Sequence, residues 1–178
     1  LVTVAEFTDF ECALCADLAP TIDRLVRPGG DVRHVHLDFP LHQHLNAQRA
    51  AVFAREVHAA HGAEVFFRLG AALRRSTAPL DDAGLTAVAS ALGLDGAALL
   101  ARARRGDRAP DVAACAEDAQ RLGVRGLPTL YVNARRLDGV RSPADLVAAV
   151  ASERARAARL VAAGIDPGRV WELLCGGE

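Results

Sequence analysis

Cys12 and Cys15 are the residues of this chain whose types and spacing most directly allow chemistry. Two thiols in a Cys-x-x-Cys pair can bind zinc or exchange disulfides. The apolar segment Leu1–Phe7 predicts a buried strand before the pair, and Cys12–Val26 predicts a helix. The first sulfur is then expected at a helix N-terminus, where free N–H groups and the helix dipole favour thiolate. This arrangement indicates dithiol–disulfide exchange, with Cys12 as nucleophile and Cys15 as resolving thiol.

The neighbours of Cys12 modify this expectation. Asp9 and Glu11 are carboxylates, and nearby negative charge raises the pKa of a thiol. Ala13 and Leu14, between the two cysteines, have side chains that donate no hydrogen bond to a thiolate. We therefore expect Cys12 to titrate below the ~8.5 of a free thiol and well above the ~3.5 of a strongly oxidising site.

The composition excludes several classes of function. The chain has 178 residues, which suits one domain or a small domain with an insertion, and a formal net charge of -1. Such a balanced charge does not favour nucleic acid or an anionic membrane surface as a partner. No apolar run approaches the ~20 residues of a membrane-spanning helix. The sequence contains no Met, so we expect a processed form or a fragment, and membrane attachment only through a missing or fused segment.

Metal binding is not expected. The two remaining cysteines lie far from the first pair in the sequence, and no second pair follows at zinc-finger spacing. Three histidines, His36, His42 and His44, occur close together, and their side chains are expected to serve in capping or in the core.

The predicted elements follow the order β-α-β, several helices, then β-β-α. Val32–Leu37 predicts a second strand, parallel to the first in a right-handed βαβ unit. The helical pattern extends from Asn46 to about Leu122 and is interrupted by helix stop signals such as Gly93. Two short strands over Thr129–Gly139 follow, and Ser142 opens a long helix.

Three separated motifs resemble those of DsbA-like thiol–disulfide oxidoreductases. They are the active-site segment Glu6–Cys15, the segment Phe39–Ala47 with its Phe-Pro-Leu and His-x-x-Ala elements, and the loop Gly123–Thr129. The resemblance extends from Val2 to about Val150. It implies an α/β, thioredoxin-like fold with an all-helical insertion between its two halves. The implied divisions are 1–40 and 123–165 for the core, 41–122 for the insertion and 166–178 for a C-terminal tail helix.

The resemblance also implies roles for particular residues. Glu6 corresponds to an acid that transfers the proton of the resolving cysteine. Pro128 corresponds to a cis proline that turns the backbone of Leu127 toward an extended substrate chain, and Ala13 and Leu14 are expected to contact that substrate. The family usually has Pro and a His, Tyr or Phe between the cysteines, so this chain is expected to be a weaker oxidant.

The predicted function is disulfide exchange with protein thiols, without a cofactor. The expected partners are protein substrates and a redox protein, and the chain is expected to be monomeric or weakly associating. The family implies an extracytoplasmic location, in the periplasm or cell envelope. One alternative is a non-catalytic peptide-binding or regulatory module of a tandem or membrane-fused protein, since thioredoxin-like tails occur on some sodium–proton antiporters. A disulfide isomerase is a further alternative.

Cys115 and Cys175 remain after the Cys-x-x-Cys pair and form a candidate structural disulfide. The closed loop would contain about sixty residues and contribute roughly 4 kcal/mol in the chain-entropy model. However, Cys115 lies on an apolar helix face, where a cysteine is more often a free, buried thiol, so two free thiols are slightly favoured over the bond. Thiol counting on unreduced, denatured protein distinguishes the two states.

Overall fold

The computed structural model describes residues 2–27, 29–139, 142–166 and 169–170. Its strands are Val2–Thr8 (β1), Val32–Asp38 (β2), Thr129–Val132 (β3) and Arg135–Asp138 (β4). Its helices are Ala13–Leu25 (α1), Ala47–Arg74 (α2), Asp82–Ala91 (α3), Gly96–Arg105 (α4), Ala109–Arg121 (α5) and Pro143–Ala162 (α6). This order confirms the predicted thioredoxin-like arrangement with helices between its halves.

The chain divides into two compact units. The sheet unit contains the described residues of 1–7, 17–37 and 126–178, and the helical unit contains residues 8–16 and 38–125. The segment with both active-site cysteines, Thr8–Ala16, therefore groups with the helices. The boundaries expected at residues 40 and 123 stay a prediction.

The four strands form one sheet in the order β2-β1-β3-β4. β1 pairs with β3 in antiparallel register, with Val4 opposite Val132 and Glu6 opposite Leu130. Since β1 has a strand on both sides, almost all of its residues are buried, Glu6 and Thr8 included. These buried residues of β1 precede, along the chain, the turn that carries the cysteines.

Apolar side chains on β1, α1 and α6 build the core of the sheet unit. Their buried set consists of Val2, Val4, Leu18, Ile22, Val32, Leu130, Val132, Leu146, Ala149 and Val150. α6 begins after Ser142, as predicted, and the structure adds a capping box: the Ser142 hydroxyl accepts from the N–H of Asp145, and the Asp145 carboxylate accepts from the N–H of Ser142. The start of this helix is therefore set by local sequence.

The helical unit has a separate core, formed mainly by α2, α3 and α4. Its buried residues are Phe10, Ala50, Phe53, Ala54, Val57, Phe66, Leu69, Leu73, Leu80, Leu85, Ala89 and Leu99. α2 contains a non-helical residue, Gly62, with φ of 82°. This backbone conformation favours a residue without Cβ, and it separates the buried residues within 47–57 from those within 66–73.

The ends of the helices agree with their sequence signals at most positions. Asp95 caps α4 by accepting from the N–H of Ala98, and Gly106 ends α4 in the left-handed conformation. The helical pattern expected to extend to about Leu122 ends at Arg121 in α5, and Leu122 lies in the following turn, where it is 49 % exposed.

Most of the predicted tail helix, 166–178, including Cys175, lies outside the described residues. Across the described ranges, none of the helices combines the length and the apolar character that crossing a membrane requires.

Candidate active site

Cys12 and Cys15 are joined by a disulfide at the turn between β1 and α1. Cys12 directly precedes the first residue of α1, so it holds the N-cap position. Its Sγ accepts a hydrogen bond from the N–H of Cys15 at 3.2 Å, as a Ser or Asp oxygen does in an ordinary N-cap. A thiolate at this atom would receive the same N–H and face the positive end of the helix dipole.

Burial distinguishes the cysteines from the residues between them. Cys12 is 5 % exposed and Cys15 is fully buried. Ala13 is exposed, and Leu14 is 63 % exposed. A large apolar side chain thus lies in solvent beside the disulfide, although burying such a side chain is normally favourable by about 1.5–3 kcal/mol.

The carboxylate of Asp9 shapes the turn that leads to Cys12. Asp9 Oδ1 accepts from the N–H of Glu11 at 2.9 Å, and the carbonyl of Asp9 accepts from the N–H of Cys12 at 3.4 Å. Asp9 Oδ2 accepts from the N–H of Leu41 at 3.1 Å and lies 2.6 Å from Nδ1 of His44. The carboxylate is almost fully buried, so these bonds replace its lost hydration.

Glu11 makes a second connection from the turn to the same loop. Its Oε2 accepts from the N–H of Asn46 at 2.8 Å, and its Oε1 accepts from the side-chain Nδ2 of Asn46 at 3.1 Å. Asn46 is the N-cap residue of α2, yet its side chain makes no cap hydrogen bond. The amide of Asn46 is instead directed at Glu11.

Glu6 is 1 % exposed within the sheet unit. Its Oε2 lies 3.1 Å from Nε2 of His34 on β2, and the His34 side chain is itself mostly buried. Sequence reasoning selected Glu6 but not His34. No local pattern in the sequence could pair His34 with Glu6, because the two residues are 28 positions apart. They meet because β1 and β2 are neighbours in the sheet.

The loop before β3 contains a cis peptide bond between Leu127 and Pro128. The hydroxyl of Thr129 donates to the carbonyl of Gly126 at 2.8 Å, which closes the loop around this bond. The carbonyl of Pro128 accepts from the N–H of Gly139 at 3.2 Å. The loop is thus held at the start of β3 within the sheet unit.

Cys115 lies in the middle of α5 and is bonded to no other cysteine among the described residues. Nη2 of Arg55 donates to its Sγ at 3.6 Å, and Nε of the same Arg55 donates to the buried carboxylate of Asp38 at 2.5 Å. Burial raises the pKa of the Cys115 thiol above its ordinary value, and this effect is larger than the opposing ones. Cys175 lies outside the described residues, so their pairing stays a prediction.

The three histidines that lie close together in the sequence do not form a common metal site in the described residues. His44 contacts Asp9, and His36 is buried in β2. In the part of the chain that the structure describes, no three His, Cys, Asp or Glu residues lie close enough together to hold a metal ion.

A four-stranded sheet, helices between its halves and a disulfide at the first strand-to-helix turn define the thioredoxin-like fold of DsbA-like proteins. A family model described as Thioredoxin matches residues 1–152. The chain belongs to this family.

Two solved structures are similar to this chain over most of its length. A thioredoxin-like oxidoreductase from Silicibacter pomeroyi DSS-3 has a TM-score of 0.74 and 25 % identity, and the alignment covers 86 % of each chain. Oxidised BdbD from Bacillus subtilis has a TM-score of 0.76 and 20 % identity, covering 85 % of this chain and 86 % of that chain.

A curated relative is much longer than this chain. Na(+)/H(+) antiporter NhaA 3 from Salinispora tropica is 36 % identical over 171 residues, which are 93 % of this chain and 25 % of the antiporter. The chain therefore spans about a quarter of the length of this relative.

Proposed function

We propose that the chain is a thiol–disulfide oxidoreductase that exchanges disulfides with protein substrates through Cys12 and Cys15. The observation that carries this proposal is the disulfide at the N-terminus of α1, with the N–H of Cys15 donating to Sγ of Cys12. This geometry stabilises negative charge on the Cys12 sulfur, which exchange requires whenever that sulfur leaves or attacks.

In the oxidising direction, a substrate thiolate attacks Sγ of Cys12. The Cys12–Cys15 bond breaks, a mixed disulfide forms, and Cys15 leaves as a thiolate that takes a proton. A second substrate thiolate then attacks the substrate sulfur of the mixed disulfide and releases Cys12 as a thiolate. The substrate gains a disulfide, and the enzyme gains the two electrons. In the reducing direction Cys12 attacks the substrate disulfide and Cys15 resolves the product.

Glu6 is assigned the role of proton carrier for Cys15. Its near-complete burial and its contact with the titratable side chain of His34 support this role. Glu6 also lies six residues before Cys12 in the chain, as the acid does in the motif that it resembles.

Protein chains are the proposed substrates. The segment at Leu127 and the cis Pro128 is assigned to backbone pairing with an extended substrate chain, as in strand addition. The exposed Leu14, with Ala13, is assigned to contacts with apolar substrate side chains. A redox protein renews the active form, and we infer an extracytoplasmic location from the family.

Two assays test the activity: reduction of insulin and oxidation of a reduced protein substrate. We expect Cys12→Ser to lower either rate by at least ~10³-fold, which corresponds to about 4 kcal/mol of activation free energy. Cys115→Ser is the matched control and should leave the rates unchanged. A wild-type protein that is inactive in both assays contradicts the proposal.

The antiporter relative favours a second candidate function, a regulatory module of a membrane transporter. In this case the thioredoxin-like region would bind a peptide or sense redox state, and catalytic exchange would not be needed. Peptide binding that persists in a Cys12→Ala, Cys15→Ala double variant, together with absent exchange in the wild type, would support the module.

A further inference from the structure

The loop of residues 41–46 holds both carboxylates of the turn that precedes Cys12. His44 approaches the buried Asp9 at 2.6 Å, and the N–H of Leu41 donates to the same oxygen at 3.1 Å. Asn46 holds Glu11 through its backbone N–H and its side-chain amide. All of these residues belong to the helical unit, as do both active-site cysteines.

Carboxylates at these positions would otherwise oppose the chemistry of the neighbouring sulfur. Negative charge close to a thiol disfavours the thiolate. The backbone carbonyl of Asp9 accepts from the N–H of Cys12 at 3.4 Å, and Glu11 directly precedes Cys12 in the chain, so both acidic residues belong to the turn that carries this cysteine. Donors directed at a carboxylate spread its charge and fix where that charge lies.

The side chains of His44 and Asn46 can both donate to the turn that precedes Cys12. The Asn46 side chain makes no cap bond to α2, although Asn46 is the N-cap residue. His44 is 24 % exposed, and its Nδ1 can donate to Asp9 whether the ring is neutral or protonated. His42, two positions before His44, has its side chain in solvent.

We propose that His44 and Asn46 are positioning residues for the redox pair: acting through Asp9 and Glu11, they stabilise the Cys12 thiolate and make the disulfide more oxidising. The inference rests on the proposed exchange function and adds two residues to its machinery.

His44→Ala tests the first contact. Without the donor, the charge of Asp9 is less dispersed, and the pKa of Cys12 in the reduced protein should rise by about 0.5 or more, a roughly threefold loss of thiolate at pH values below that pKa. The equilibrium with glutathione should shift about threefold toward the protein disulfide, or ~14 mV at 29.6 mV per tenfold. Thiolate absorbance against pH and glutathione titration measure the two quantities.

Two matched variants separate positioning from loss of structure. His44→Asn keeps an N–H donor at the position of Nδ1 and should restore at least half of the shift. His42→Ala removes an exposed histidine from the same loop and should leave both quantities at their wild-type values. A His44→Asn protein as perturbed as His44→Ala would contradict a role through the hydrogen bond.

Asn46→Asp tests the second contact without removing a cap. It places a carboxylate opposite Glu11 and should raise the pKa of Cys12 at least as much as His44→Ala does. If His44→Ala does not fold, this variant and His44→Asn decide the question. Wild-type values in Asn46→Asp would overturn the proposal.

The same measurements distinguish failure of this inference from failure of the exchange function. If the wild-type protein has no exchange activity but the Cys12 pKa values of wild type and variants follow the predicted order, the exchange function is contradicted and the positioning role is supported. An active wild type whose variants all share its pKa and glutathione equilibrium overturns the positioning role alone.

Discussion

Cys12 and Cys115 both lie in the helical unit, yet they occupy different places along their helices. Cys12 precedes the first turn of α1 and receives an N–H on its sulfur, whereas Cys115 lies in the middle of α5, where N–H groups bond within the helix. Arg55 donates to Cys115 at 3.6 Å, but burial outweighs this contact and raises the thiol pKa. We therefore expect the position of a thiol on its helix to matter more for thiolate formation than a nearby cation.

The largest expected difference between the two thiols is their rate of alkylation. In reduced protein at pH 7, Cys12 should react about tenfold or more faster than Cys115, because little of the Cys115 thiol is ionised below its raised pKa. As the pH rises above 9.0, a growing fraction of the Cys115 thiol ionises while Cys12 is expected to be thiolate already, so the ratio should fall. Peptide mass spectrometry after timed labelling measures each site. Equal alkylation rates of Cys12 and Cys115 at pH 7 would contradict the expected difference in their ionisation.

A smaller effect is expected when a donor is added beside Cys12. Leu14→His should lower the pKa of Cys12 by ~0.5–1 and make the disulfide more oxidising, because an imidazolium next to the sulfur favours thiolate. Thiolate absorbance and equilibrium with glutathione measure both changes. Leu122→His, at another exposed leucine, is the control. No change in Leu14→His would mean that the helix terminus alone determines the thiolate.

The smallest expected effect is the replacement of Cys115. Cys115→Ala removes one half-buried sulfur and should lower the free energy of unfolding by about 1 kcal/mol or less, with exchange activity unchanged. Urea unfolding and the insulin assay measure these quantities. A loss of activity in this variant would show that Cys115 takes part in the redox chemistry.

Local sequence signals predicted most of the elements around the site. The capping box at Ser142, the cap at Asp95 and the helix end at Gly106 each depend on residues within a few positions. The helical pattern that was expected to extend to about Leu122 ends at Arg121. Periodicity does not determine the residue at which a helix ends.

The sequence by itself determined that two thiols lie at a strand-to-helix turn, because an apolar strand, a Cys-x-x-Cys pair and a helical pattern follow one another directly. Only the tertiary structure decided which groups surround that turn. Asp9 meets His44 and Glu11 meets Asn46 across 35 positions each, and Glu6 meets His34 across 28. Such contacts depend on which strands are adjacent in the sheet and on the path of a loop. Each is formed by polar residues, and local sequence patterns are equally consistent with exposure of these residues to solvent.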